Sequence, residues 1–70
     1  MKATYSGRVA TFDEFAGRGE IEARGGLRFP FHCTAITDGS RSIAPDTVVK
    51  FRIVPGPLGA LEATRITPAQ

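Results

Sequence analysis

Apolar residues along this chain recur at every second position. Val9 sits between Arg8 and Ala10, Ile21 between Glu20 and Glu22, Phe29 and Phe31 flank Pro30, and Val49, Phe51 and Ile53 alternate with Lys50 and Arg52. A period of two sends successive side chains to opposite faces of an extended backbone, so each stretch reads as a strand with one buried face. Turn-forming residues punctuate the pattern: Asp13-Glu14 with Gly17, Arg24-Gly25-Gly26, Asp38-Gly39-Ser40, Ala44-Pro45-Asp46, and Pro55-Gly56-Pro57 through Gly59. Five strands follow, near residues 4–12, 18–23, 27–32, 47–54 and 61–67. A brief helical turn is expected at Thr34–Ile36 with Thr34 as its cap. The stretch from Pro57 to Thr64 carries Gly59 behind Pro-Gly-Pro and reads as a loop into the last strand.

Alternation assigns Val9, Ile21, Phe29, Phe31, Ile36, Ile43, Val49, Phe51, Ile53, Ala63 and Ile66 to the interior. The two phenylalanines of the third strand need room, which Ala10, Ala35 or Ala63 is expected to supply. The outward face of the first three strands then carries Arg8, Phe12, Arg18, Glu20, Pro30 and His32. Seventy residues hold one small core. Closing the sheet removes its exposed edges and lets few side chains fill the interior, so the expected architecture is all-β, a small five-stranded antiparallel barrel. It forms a single domain over residues 1–70, with its core at about 4–67 and a tail at Thr67-Pro68-Ala69-Gln70.

Composition narrows the chemistry. Hydrophobic residues make up 41% of the chain, enough for a folded domain, and the net charge of +2 gives only a mild attraction to anions. No apolar run follows Lys2 and no stretch approaches membrane-spanning length, so a cytoplasmic protein is expected, without membrane association. The single Cys33 agrees with a reducing compartment. Gly17-x-Gly19 with Glu22 does not complete a dinucleotide fingerprint, a lone His32 makes no catalytic triad, and Asp13-Glu14 lie in a turn, so no enzyme is expected. His32 and Cys33 are adjacent strand positions pointing to opposite faces, with no further His or Cys to join them. No metal site and no cofactor are implied.

Several short motifs run together in one order: Gly7-x-Val9, Phe12, Gly17-x-Gly19-x-Ile21, His32-x-x-Ala35-Ile36, Gly39-x-x-x-Ile43, Val49-x-Phe51, Gly56, Gly59 and Ala63-x-x-Ile66. From about Tyr5 to Ile66 the chain resembles the bacterial cold-shock domain family, a five-stranded OB-type barrel that binds single-stranded nucleic acid. The resemblance is strongest at scaffold positions. Thr11 stands where the family usually has Trp, Ala16 where it has Lys, Arg18 and Glu20 where it has two Phe, and Pro30 and Cys33 where it has two more. Of the family's stacking platform, Phe12 and His32 remain. Phe29 and Phe31 replace residues that are usually Val, and Asp46 replaces a turn Gly, as Asp tolerates left-handed backbone.

The resemblance implies weak binding of single-stranded RNA or DNA with little sequence preference, through Arg8, Phe12, Arg18, Arg28 and His32. Arg18 can stack its guanidinium plane on a base or meet a phosphate, and the His32 ring can stack or donate a hydrogen bond. Glu20 repels phosphates in the same place. The competing class is a barrel that has lost this platform and presents Phe15, Pro30 and Leu58 to a protein partner. A monomer is expected in either case. Lys50, Arg52 and Arg41 suggest a second basic strip near the fourth strand, read as solvated strand face.

Overall fold

The alternating pattern folds into β1 (Tyr5–Asp13), β2 (Arg18–Ala23), β3 (Arg28–His32), β4 (Val48–Pro55) and β5 (Leu61–Pro68), each within one residue of the expected bounds. The structure, a computed structural model, describes residues 3–57 and 59–69, so Leu58 lies outside the described residues. The strands form one antiparallel sheet in the order β3-β2-β1-β4-β5. β1 is the shared wall: Gly7 pairs with Ala23 on one side and with Val49 on the other. The two edges, β3 and β5, come into contact, and beyond β3 a single parallel bridge joins Ile36 to Ile66. This is a small five-stranded barrel of OB type, with its β3–β5 seam packed rather than laddered. Among the described residues no helix is long and apolar enough to cross a membrane.

Nine of the residues expected inside are buried: Val9, Ile21, Phe31, Ile36, Ile43, Val49, Phe51, Ala63 and Ile66. Phe29 and Ile53, also expected inside, are only partly buried and pack against that cluster. Phe29 stands at the rim with its ring centroid 6.0 Å from that of Phe51. Two bulges reconcile this core with the pattern. Ala63 and Ile66 are three residues apart, which strict alternation would put on opposite faces. Lys50 pairs with Thr67 but Arg52 with Thr64, so β5 holds one extra residue there and both side chains turn inward. Arg65, in that bulge, has φ 53°. A second extra residue, Ala10, lies between the pairs Val9–Ile21 and Thr11–Glu20 and has the same effect on β1.

The β1 bulge corrects the expectation for Phe12. With Ala10 absorbed, Phe12 pairs with Gly19, on the inward side with Ile21, and packs half-buried against the core. Its ring stacks on Phe31 at 5.8 Å between centroids and 13° between planes. Gly19 supplies the room that the alanines were expected to give. A Cβ there would collide with the Thr11 carbonyl oxygen and come within 2.9 Å of Phe31 Cζ and 3.0 Å of Phe12 Cδ1. Asp46 has φ 72°, the left-handed backbone anticipated where a glycine was replaced.

The helical turn is displaced by one residue, to Cys33–Ala35, and its cap is His32 rather than Thr34. Farther along, the Ser40 N–H donates to Asp38 Oδ1 at 2.8 Å and holds that carboxyl below its ordinary range. Gly19→Ala is expected to destabilise the barrel by about 1–3 kcal/mol, because the added methyl meets backbone as well as two rings. Chemical denaturation measures this, and a change within error would show that Gly19 is not the point of closest packing.

Candidate nucleic-acid interface

Antiparallel register arranges the outward face of β1–β2–β3 in three cross-strand rungs. Arg8, Glu22 and Arg28 form the first, Thr11, Glu20 and Pro30 the second, and Asp13, Arg18 and His32 the third. Arg8, Arg18 and Arg28 are thus matched by Asp13, Glu20 and Glu22, and the face carries no net charge. Arg28 is engaged on it: Nη1 lies 3.4 Å from Glu20 Oε1 and Nη2 lies 3.9 Å from Glu22 Oε1. Such exposed pairs add little stability. Their consequence is that this guanidinium already has anions beside it.

The five residues expected at the site therefore divide. Phe12 belongs to the inner side, Arg28 is paired, and Arg8 lies on the far rung beside Glu22. Arg18 and His32 remain, directly opposite each other in register and both exposed. They line one groove of about 440 Å³ together with Pro30, the edge of Phe31, Pro57, Ala60 and Glu62. The far wall comes from the β4–β5 loop and the start of β5, so the groove exists only because the barrel brings β3 against β5. Its walls are mostly apolar. A cavity of this size suits one planar ring system, with few polar groups to orient it.

His32 is held in place by its own chain. Its Nδ1 accepts the Thr34 N–H at 3.3 Å and lies 3.0 Å from Thr34 Oγ1. A ring nitrogen that accepts a backbone N–H carries no proton, which leaves Nε2–H as the donor of the neutral ring. The cap also ends the strand, so the alternation that should separate His32 from Cys33 stops here. Cys33 Sγ lies 3.8 Å from His32 Nδ1, and among the described residues no group of three His, Cys, Asp or Glu side chains could hold a metal ion.

The β1–β2 turn flanks this rung and is equally well tied. Asp13 Oδ1 accepts the N–H groups of Phe15 at 2.9 Å and Ala16 at 3.2 Å, and the Asp13 carbonyl accepts Gly17 N–H at 2.8 Å. Phe15 consequently projects fully into solvent instead of folding over the barrel. Ala60 and Glu62 carry no mark in the sequence pattern and reach the groove through tertiary packing alone.

No known family model and no curated protein matches the chain.

His32→Ala removes the cap acceptor along with the ring and is expected to cost about 1 kcal/mol, whereas His32→Asn keeps an acceptor for Thr34 N–H and costs less. Equal melting midpoints for the two variants would rule out the cap.

Proposed function

We propose that this chain binds single-stranded nucleic acid, weakly and with little sequence preference, as a divergent cold-shock-type barrel that takes one unstacked base into the groove between β3 and the β4–β5 loop. The observation that carries this is the opposition of Arg18 and His32 across an apolar groove of about 440 Å³. A base entering it would lie against the His32 ring or the Arg18 guanidinium plane, with Pro30 and Pro57 covering its flanks. Hydrogen bonds from His32 Nε2–H and Arg18 would orient its edge. Glu62, in the same wall, can accept from an exocyclic amino group but opposes a phosphate. The groove thus suits a base better than a backbone.

A second class, docking of a protein partner, draws support from Phe15, which stands wholly exposed on a turn made rigid by Asp13.

Titration of a labelled single-stranded pyrimidine oligonucleotide at low salt separates the two. Wild-type affinity in the micromolar range or weaker is expected. Glu20→Phe removes a carboxylate, frees Arg28 and adds a ring, and should gain about 1–3 kcal/mol if a base passes over that rung. His32→Asn should lose a comparable or smaller amount without unfolding. Undetectable binding, or two folded variants with wild-type affinity, overturns the groove and turns attention to a protein at Phe15.

A further inference from the structure

The β1–β3 face is charge-balanced and the groove is lined by one cation and one carboxylate, Arg18 and Glu62, so neither offers the cation excess that a phosphate backbone requires. That excess lies elsewhere. Along β4 and β5 two clefts share Arg52 and Arg65 as their common wall. One, of about 330 Å³, also takes in Lys50 and the Thr4 and Thr67 side chains; the other, of about 430 Å³, reaches Tyr5 at the barrel end. Three cations and a half-exposed aromatic ring meet here, and among the described residues no carboxylate lines either cleft.

Arg65 is at this place because of the β5 bulge. Its φ of 53° is uncommon for a residue with a side chain, and a glycine would adopt it without cost. Retaining arginine there keeps a third cation beside Lys50 and Arg52. Arg41, which the sequence grouped with them, lines neither cleft.

The geometry points to a second contact surface for single-stranded nucleic acid, in which Lys50, Arg52 and Arg65 hold backbone phosphates and Tyr5 offers a ring to a neighbouring base. Cations beside an exposed ring are the combination that binds single strands without reading their sequence. Both sites draw on β5: Glu62 lines the groove, and Arg65, three residues on, lines the clefts. Nucleic acid as ligand is shared with the groove assignment, and the residues are not.

The test is the salt dependence of oligothymidylate binding, followed by fluorescence anisotropy, for wild type and for a Lys50→Gln, Arg52→Gln, Arg65→Asn variant. Asn accepts left-handed backbone, so the bulge is kept. Each phosphate contact on a single strand contributes about 0.7 to the slope of log affinity against log salt, so losing three should flatten it by about 2 and lower low-salt affinity at least tenfold. An unchanged slope in the folded variant overturns the surface. In the wild type, amide resonances of residues 50–52 and 64–67 should shift on titration, and their constancy overturns it even if the variant does not fold. If His32→Asn weakens binding while the triple variant keeps the wild-type slope, the groove stands and this surface falls. The reverse pattern removes the groove and keeps the surface, and absence of binding removes both.

Discussion

The barrel depends on there being no side chain at Gly19. At that point β2 passes so close to the Thr11 carbonyl and the Phe31 and Phe12 rings that a methyl group has nowhere to go. Because the backbone itself forms the floor, Phe31 can lie buried across β2 and Phe12 can stack on it. The aromatic pair closes the end of β1 over β3. The same closure fixes Arg18, one residue before Gly19, opposite His32, one residue after Phe31. Core packing and the candidate groove are therefore consequences of one contact. A bulkier residue at position 19 would push both aside together.

Pairing of charge across strands explains why the outward platform differs from what its position suggests. Where resemblance implies stacking rings, this chain has Arg18, Glu20 and Pro30, and register places Glu20 within reach of Arg28. The result is a solvated face whose cations and anions offset one another. Such a surface gives long-range attraction to neither sign of partner, and any affinity it has must come from short-range contact in the groove. The clefts of β4 and β5 have the opposite character, since among the described residues their lining includes cations and no carboxylate.

Most of the fold was legible in the sequence because a half-buried strand writes its two faces as a period of two, and Gly, Pro and Asp mark the turns. The strand bounds and nearly the whole core follow from that. What alternation cannot express is a bulge. The inward pair Ala63 and Ile66 already demanded one, as their spacing of three breaks the period, and the extra residue proved to be in the segment that carries Arg65. At Ala10 the pattern carries no such clue, so strict alternation sends Phe12 to the outward face, whereas register places it opposite Gly19 on the inner side. His32 posed a different difficulty. Its position was legible, but its capping bond to Thr34 depends on the strand ending there, which is a matter of backbone geometry rather than residue type. The opposition of Arg18 and His32 required register, and Glu62 required the β3–β5 seam; neither is a local property of the chain.

β5 connects the two candidate surfaces. It supplies Glu62 to the groove near its start and Arg65, within its bulge, to the clefts farther along. A single strand lying along this path would place a base in a neutral apolar pocket and its phosphates over Lys50, Arg52 and Arg65, and so would separate the two kinds of contact in space. That separation distinguishes the arrangement from a flat stacking platform, on which rings and cations are interleaved on one face. Stacking and phosphate contact then answer to different residues, and each can be weakened without touching the other.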